Sequence, residues 1–367
     1  MHIALIGTRG VPAKYGGFET CAEEISTRIS SMGHKVTVYC RNGNYDDSLK
    51  NYKGVKLVHL PTIKGKLTET FFHTFISLVH SLFLKPDVYL IMNAANAPLC
   101  ILLKFFRKKV IINVDGLEWR RKKWGIIGKS YYLFSEWVSS KIATRIVSDA
   151  LGIKDYYLKK YKTNSTFIAY GAKIEKSLDK SILSKYNLEP DEYLFIASRL
   201  EPENNADIAV NAMQYLDTKK KLVIAGGANY KSQYIKSLNR IKDDRIIFLG
   251  PVYANGHIKE LHCNCFAYIH GNEVGGTNPA LLKAMGYGNM VFASNNVFNT
   301  EVLDDCGIIF DKDPKQLSDK LKVILENPEK RTHYQKKAIQ RIKKKYTWEK
   351  ITKQYLELFI ECADEKY

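Results

Sequence analysis

Short runs of apolar and β-branched residues alternate with longer segments of helical periodicity along the whole chain. This alternation is typical of parallel sheets whose strands are joined by crossover helices. Strands are predicted in the first half at residues 2–7, 35–41, 55–60, 87–92, 110–114 and 145–148. The pattern restarts at residues 193–197, 221–225, 245–249, 265–270, 290–294 and 307–310. The fold class is therefore α/β, with two doubly wound, Rossmann-like sheets.

A boundary between the two sheets is predicted near residue 172. There an extended run, 166–173, gives way to a polar segment before the next buried strand begins at residue 193. At 367 residues the chain has room for two cores of ordinary size. We therefore expect a first domain over residues 1–172 and a second over 173–345.

The tail, residues 346–367, has the periodicity of an amphipathic helix. Its apolar positions at helical spacing are Trp348, Ile351, Tyr355 and Phe359. Such a face must pack on a neighbouring surface. The helix could cap the second domain or return to the first.

The charge balance is strongly basic, with 56 Lys and Arg against 38 Asp and Glu and a formal charge of +18. This excess predicts attraction to a polyanion: nucleic acid, an anionic membrane or a phosphorylated ligand. Apolar residues at 45% and charged residues at 26% are globular proportions. Composition by itself does not choose among the three polyanions.

Three features bear on the compartment. The start, MHIALIGTRG, has no basic leader before its apolar run, so no signal peptide is expected and the protein is predicted to be cytoplasmic. The most apolar stretch, 71–84, contains two histidines and two serines and is too short to span a bilayer. It is predicted to be a core or interfacial helix. Seven cysteines without a Cys-x-x-Cys pair indicate reduced thiols.

Two glycine-containing loops follow predicted strands. The first strand runs into a loop with Gly7, Gly10, Gly16 and Gly17, which matches neither the dinucleotide fingerprint nor the phosphate loop. In the second half, the segment 271–278 contains paired glycines and leads into a helix. Bare backbone and helix N–H groups suit an anionic ligand. Because ligands of open α/β sheets bind at the carboxyl ends of strands, we expect the loops to face a common cleft. Ordinary tight turns remain the alternative.

Five motifs occur in a characteristic order. They are IGTRGVPAKYGGFET at 6–20, NVDGLEW at 113–119, ASRLEPENN at 197–205, FLGPVY at 248–253 and HGNEVGGTNPALLKAMG at 270–286. Through these motifs the chain resembles retaining glycosyltransferases of the GT-B fold, in the glycogen-synthase-like branch known as glycosyltransferase family 4. Within that branch it resembles bacterial rhamnosyltransferase-like enzymes of surface polysaccharide assembly. The resemblance covers essentially the whole chain.

The resemblance implies a donor site in the second domain. Arg199 corresponds to the arginine that grips the donor pyrophosphate, a task that suits a permanent cation with several donors. A surface salt bridge is the alternative for this residue. The implied donor-phosphate turn comprises Gly275, Gly276, Thr277 and Asn278. The implied nucleotide-base loop, otherwise a plain strand-end turn, comprises Gly250, Pro251, Val252 and Tyr253.

On the acceptor side, Gly16 and Gly17 correspond to glycines beside the transferred sugar. Asp115 and Glu118 occupy the strand-end position where many relatives keep a catalytic histidine. An acid there could orient or deprotonate the acceptor hydroxyl. A carboxylate at a strand end can also simply cap a helix, so both readings of Asp115 stay open.

Three donor-site positions depart from the broad family pattern. The lysine expected five residues after the arginine is Asn204, which leaves Arg9 or another lysine to supply charge. Two glutamates that the broad family separates by seven residues are replaced by Gly275 and Lys283. Lys283 has hydrogen-bond donors only, so it cannot accept from a donor ribose. Either Glu273 or Glu301 then compensates, or the donor differs from that of the family.

The pair Asp311 and Asp313 could suggest a metal site. It follows the last predicted strand, however, in a loop that the family uses to start a helix. Helix capping is the favoured interpretation. We expect neither a metal nor a cofactor.

The predicted function is transfer of a sugar, with retention, from a nucleoside-diphosphate donor such as dTDP-rhamnose. The implied acceptor is a polyprenyl-diphosphate-linked saccharide of capsule, O-antigen or related glycan assembly. Basic residues lie next to aromatic ones in segments 105–109 and 119–124, a composition that suits an anionic membrane surface. Peripheral attachment to the inner face of the cytoplasmic membrane is therefore expected, with solvated basic turns as the alternative.

Other function classes predict different behaviour. A sugar-nucleotide epimerase would share the fold without affinity for a lipid-linked acceptor. A catalytically weakened glycan-binding protein, suggested by Asn204 and Lys283, would bind acceptor without donor turnover. A nucleic-acid-binding protein is suggested by charge alone and lacks any recognised module, so nucleic acid is not an expected partner.

Overall fold

The computed structural model describes residues 1–14, 16–44, 46–63, 65, 68–177, 179–227, 233–254 and 256–365. The chain divides into two compact units. One comprises Met1–Tyr170 together with Trp348–Tyr367, and the other comprises Gly171–Thr347. The first segment of the first unit therefore ends at Tyr170, two residues before the boundary expected at position 172. The terminal helix belongs to the first unit.

The first unit contains an eight-stranded sheet in the order β3-β4-β2-β1-β5-β6-β7-β8, parallel except where β3 pairs with β4. Its strands are β1 (His2–Ile6), β2 (Lys35–Arg41), β3 (Asn51–Tyr52), β4 (Val55–Leu60), β5 (Val88–Met92), β6 (Lys109–Asn113), β7 (Arg145–Ser148) and β8 (Thr166–Phe167). All six strands predicted for this half are confirmed to within a residue at each end. The other two, β3 and β8, have only two residues each and are too short to show a pattern.

Helices cover this sheet. They are α1 (Gly17–Ser31), α2 (Thr68–Leu84), α3 (Ile101–Phe105), α4 (Ile126–Ile142), α5 (Leu151–Tyr161) and the terminal α13 (Trp348–Asp364). The terminal helix packs against α1. Its predicted apolar face is confirmed, because Trp348, Ile351, Tyr355 and Phe359 are all buried. Among the described residues, no helix combines the length and apolarity needed to cross a bilayer.

The second unit contains a six-stranded, fully parallel sheet in the order β11-β10-β9-β12-β13-β14. Its strands are β9 (Tyr193–Ala197), β10 (Lys221–Ala225), β11 (Ile246–Gly250), β12 (Ala267–His270), β13 (Val291–Ser294) and β14 (Ile308–Phe310). All six were predicted to within two residues at each end. Parallel strands buried on both faces are apolar nearly throughout, so their sequence signal is strong.

The helices of the second unit are α6 (Ala206–Ala212), α7 (Gln233–Leu238), α8 (His257–Cys263), α9 (Pro279–Gly286), α10 (Val297–Leu303), α11 (Pro314–Leu325) and α12 (Pro328–Arg341). Leu194, Leu222, Ile224 and Phe292 are completely buried in the core beneath them. Burial of each such side chain contributes about 1.5–3 kcal/mol. This core fixes the carboxyl ends of β9, β12 and β14, which carry the residues discussed below.

Candidate active site

The loop after β1 brings bare backbone and a cation to the end of the strand. Gly7 has φ +101°, and a Cβ there would collide with the carbonyl oxygen of Met92. The exposed Arg9 donates its backbone N–H to Glu19 Oε1 at 3.0 Å. Gly16, at φ +103°, immediately precedes α1, which begins at Gly17. The approach of a ligand to this loop stays a prediction, and Tyr15 of the loop lies outside the described residues.

Asp115 follows β6 and has a backbone conformation that is unusual for a residue with a side chain. Its φ is +56°, and its N–H donates to Asn113 Oδ1 at 3.0 Å. The hydroxyl of Tyr170 donates to Asp115 Oδ1 at 3.3 Å. Burial, reinforced by the nearby charge of Glu118, raises the pKa of Asp115 to about 6. A carboxylate with this pKa is a competent proton acceptor near neutral pH.

Asp115 does not cap the helical turn that follows it, since that turn begins after Leu117. The capping alternative for this residue therefore has no hydrogen bond to support it. Asp115 is thus a partly buried acid in a left-handed backbone conformation, and it accepts a hydrogen bond from Tyr170.

Glu118 has a different environment from Asp115. Its carboxylate accepts from Arg121 Nε at 2.5 Å, Lys123 Nζ at 2.8 Å and Trp124 Nε1 at 3.3 Å. Burial opposes ionisation, but the two cations outweigh it and lower the pKa of Glu118. This acid is therefore held as an anion by the basic segment 119–124, an arrangement that suits ion pairing better than proton transfer.

Three side chains that support Asp115 were not predicted from the sequence. Asn113, which fixes the Asp115 backbone, donates its own Nδ2 to Tyr355 Oη at 2.7 Å in a fully buried contact. Tyr170 makes an edge contact with Phe18, with ring centroids 6.5 Å apart. Because Tyr355 lies 242 positions after Asn113, no local sequence pattern could have linked them.

Arg199 lies just beyond β9 in the second unit. Its side chain is 43% exposed, and its Nη1 forms an ion pair with Glu201 Oε1 at 3.6 Å. The buried Asn204 donates its Nδ2 to the carbonyl oxygen of Arg199 at 2.8 Å. Residue 204 therefore closes the turn that presents the arginine, and it brings no charge to the site.

The loop after β12 is fastened to this turn. Gly271 approaches Asn204 so closely that a Cβ would collide with its carbonyl oxygen. Asn205 donates its Nδ2 to the carbonyl of Gly271 at 2.8 Å and also to Glu273 Oε1. The backbone N–H of Glu273 donates to the carbonyl of Glu203 at 3.1 Å. The carboxyl ends of β9 and β12 thus form one continuous polar surface.

Helix α9 opens from this loop as predicted. Gly275 has φ +149°, Gly276 and Thr277 are buried, and Asn278 Oδ1 accepts from the N–H of Ala280 at 3.0 Å. The first N–H groups of a helix lack internal partners and carry a partial positive charge, so they suit an anion. Lys283 is the fifth residue of α9 and is exposed. Glu301 lies on α10, beyond this loop.

The predicted base loop follows β11. Gly250 has φ +68° and accepts a hydrogen bond from the N–H of Gly226 at 2.9 Å. Pro251 is exposed and Val252 half-buried, while Tyr253 is 73% exposed. An exposed aromatic ring at a strand end is available to stack on a planar base.

Several buried polar atoms in the second unit have no hydrogen-bond partner within the described part of the chain. They include His270 Nε2 and Asn272 Oδ1, which lie at the end of β12 and just after it. Burial lowers the pKa of His270 to about 3, so the ring is neutral. Unsatisfied polar atoms are costly and call for an explanation.

Of the acidic pair after β14, only Asp313 caps a helix. Asp313 Oδ1 accepts from the N–H of Lys315 at 2.9 Å and caps α11, as predicted. Asp311 accepts from Asn295 Nδ2 at 2.8 Å and from Gln316 Nε2 at 2.9 Å. Over the described ranges, no group of three or more His, Cys, Asp or Glu side chains could hold a metal ion.

Two families match successive parts of the chain. Residues 1–173 match a domain of unknown function, DUF1972. Residues 179–341 match the family described as glycosyl transferases group 1. The chain is also 24% identical over 374 residues to the uncharacterized glycosyltransferase MJ1069 of Methanocaldococcus jannaschii, with 94% of each chain covered.

Solved structures share the architecture. Sucrose-phosphate synthase from Thermosynechococcus elongatus superposes with a TM-score of 0.82 at 17% identity, covering 98% of each chain. Anabaena Alr3699/HepE in complex with UDP-glucose has a TM-score of 0.78 at 15% identity, covering 98% of this chain and 99% of that one. These two likenesses define the GT-B fold. Within that fold, residues 179–341, which make up most of the second unit, match the group 1 glycosyltransferases.

Proposed function

We propose that this protein is a retaining, metal-independent glycosyltransferase that uses a nucleoside-diphosphate sugar such as dTDP-rhamnose. The acceptor is a lipid-linked saccharide in surface polysaccharide biosynthesis, within the rhamnosyltransferase-like subgroup. The observation that carries the proposal is the surface at the ends of β9 and β12, where the exposed Arg199 and the start of α9 lie on loops joined by hydrogen bonds.

The donor half of the reaction follows from this surface. Negative charge grows on the diphosphate as the sugar–phosphate bond breaks, and the Arg199 guanidinium together with the positive end of the α9 dipole stabilises it. The exposed Tyr253 stacks on the base. A neighbour of the same fold, Alr3699/HepE, binds UDP-glucose, which is consistent with a nucleotide sugar as donor.

The acceptor half is assigned to the first unit. Asp115, with a pKa raised to about 6, accepts the proton of the attacking hydroxyl. Gly16 and Gly17 present bare backbone to the transferred sugar at the start of α1. Retention requires the hydroxyl to approach on the face from which the diphosphate departs.

Exposed apolar side chains support a peripheral membrane location. Ile126 and Ile127 at the start of α4 are 85% and 88% exposed, and Phe105 at the end of α3 is 80% exposed. They adjoin the basic segments 105–109 and 119–124. Apolar anchors flanked by lysine and arginine favour the inner, anionic face of the cytoplasmic membrane.

A donor screen with a short polyprenyl-diphosphate-linked saccharide tests the proposal. We expect release of nucleoside diphosphate, a product heavier by one sugar residue, retention of the anomeric configuration by NMR, and activity that survives EDTA. An epimerised sugar nucleotide without transfer would indicate an epimerase. Acceptor binding without turnover of any donor would indicate a glycan-binding protein.

A further inference from the structure

We propose that Lys312, in the turn after β14, supplies the second cation of the donor-diphosphate site. The proposal rests on the proposed function, because it takes the ligand to be a nucleoside diphosphate. The family resemblance leads one to expect this cation from a lysine at position 204, in the turn after β9, where this chain has an asparagine. Lys312 instead follows β14.

The need for another cation arises from the turn after β9. Asn204 is buried and uses its amide to hold the carbonyl of Arg199, so this position contributes no charge. A departing diphosphate carries more negative charge than one guanidinium neutralises. Charge-assisted hydrogen bonds from a second cation are the ordinary solution.

The position of Lys312 follows from one carboxylate oxygen. Glu273 Oε1 accepts from Asn205 Nδ2 and also from Lys312 Nζ. Two donors on the same oxygen atom are at most about 6 Å apart. The Lys312 ammonium therefore lies beside the residue that follows position 204, on the polar surface that carries the start of α9.

The backbone around Lys312 is held on both sides. Asp311 is engaged by Asn295 and Gln316, and Asp313 caps α11. These contacts occupy the neighbouring carboxylates and fix the turn, so the lysine is presented from a defined place.

The ammonium itself is free to exchange partners. The Lys312 side chain is 63% exposed, and an ion pair with a solvent-exposed ammonium contributes little to stability. A diphosphate can therefore share or displace Glu273 at small cost. Until a ligand arrives, the pair keeps the Glu273 carboxylate neutralised beside a site that must accept anions.

Titration calorimetry on the full chain tests the role of Lys312, with UDP, dTDP, GDP and ADP as probes. We expect Lys312→Gln to weaken binding of the preferred diphosphate about tenfold, the loss of one charge-assisted contact. Lys312→Arg should retain most of the affinity. Lys322→Gln is the matched control, because Lys322 is 68% exposed on α11 of the same unit, and it should bind as the wild type does.

Phosphate-free probes separate a charge effect from damage to the fold. Binding of uridine or thymidine, followed by saturation-transfer NMR, should be unchanged in Lys312→Gln. Unchanged diphosphate affinity in that variant, or parallel loss of nucleoside binding, would overturn the role of Lys312. Arg199→Ala would still weaken diphosphate binding in that case, so the proposed function would stand. If the wild type binds none of the four diphosphates, both proposals fail.

Discussion

The two units have the same kind of sheet but carry opposite chemistry at the strand ends. In the first unit, the end of β6 presents Asp115 among a tyrosine, a second acid and buried amides, and its pKa is raised to about 6. In the second, the ends of β9, β12 and β14 present Arg199, Lys312 and a helix start, tied together by asparagine side chains. Fold alone therefore does not set the role of a Rossmann-like unit. A few side chains at strand ends make one unit suited to moving a proton and the other to holding a diphosphate.

The units also differ at the surface. The helices of the first unit expose Phe83, Phe105, Ile126 and Ile127, each at least 80% accessible. Among the described residues of the second unit, the most exposed large apolar side chain is that of Tyr253, which we propose to contact the nucleotide base. We therefore propose that the first unit contacts the membrane and that the second contacts the nucleotide.

Removing the cation of the second unit should have the largest effect. We expect Arg199→Ala to lower turnover about 10²- to 10³-fold, because preorganised charge at a leaving group typically contributes about 3 kcal/mol or more. Steady-state release of nucleoside diphosphate measures it. Arg240→Ala, an exposed arginine of the same unit, is the control and should remain fully active. Near-normal turnover in Arg199→Ala would remove this residue from the mechanism.

Removing the acid of the first unit should cost about a hundredfold in turnover, since Asp115→Asn leaves no proton acceptor. Wild-type activity should fall as the pH drops below about 6, where Asp115 becomes protonated, and the variant should lack this limb. A pH–rate profile of both proteins provides the measurement.

The same variant should be more stable than the wild type at pH 7. The folded-state pKa of Asp115 is raised, so the folded protein binds a proton more tightly than the unfolded chain. Stability is then lost as the pH rises from about 4 through 6. Asn removes this cost, and calorimetric melting at pH 7 should show a higher Tm. In the pH–rate profile, a loss of activity below pH 6 that persists in Asp115→Asn would mean that another residue accepts the proton.

The surface difference predicts binding to anionic vesicles. The protein should co-sediment with vesicles that contain phosphatidylglycerol and dissociate in salt, because screening acts over roughly 10 Å at 0.1 M ionic strength. The double variant Ile126→Ser and Ile127→Ser should reduce partitioning about tenfold through lost apolar burial. Val297→Ser, at an exposed apolar position of the second unit, serves as control. Equal binding to neutral vesicles would argue against the basic segments.

The smallest effect is expected at Lys283, on α9 of the second unit. If its position corresponds to the ribose-binding glutamate of relatives, Lys283→Glu adds an acceptor for ribose hydroxyls. Donor affinity should then rise by about 1 kcal/mol, or roughly fivefold, in titration calorimetry. Lys283→Gln separates the loss of charge from the gain of an acceptor. Weaker binding of Lys283→Glu would mean that the lysine pairs with an anionic part of the donor, and an unchanged affinity would mean that it faces solvent.

Much of the scaffold was predictable because its signals are local. Buried parallel strands are continuous apolar runs, and all twelve predicted strands occur within two residues of their expected ends. Asn278 and Pro279 indicated the start of α9, and Asp313 indicated the start of α11. The short strands β3 and β8 were not predicted, because a strand of two residues shows no periodicity in the sequence.

The candidate site was predictable only in part. Position and residue type pointed to Asp115, Arg199 and the glycine loops, but they treated Asp115 and Glu118 as equivalent acids. The structure separates them, since only Glu118 is surrounded by Arg121, Lys123 and Trp124.

By itself, the sequence determined the two α/β sheets, the order of their strands along the chain, and the loops where glycine or a cation must stand. These features depend on residues a few positions apart, through steric limits on the backbone and alternation of apolar side chains. Only the tertiary structure decided that Tyr355 holds Asn113 beneath Asp115, and that Lys312 meets Glu273 beside position 204. Those contacts join residues far apart in the chain. A hydrogen bond between such residues exists only once packing of the whole unit has brought its donor within about 3 Å of its acceptor.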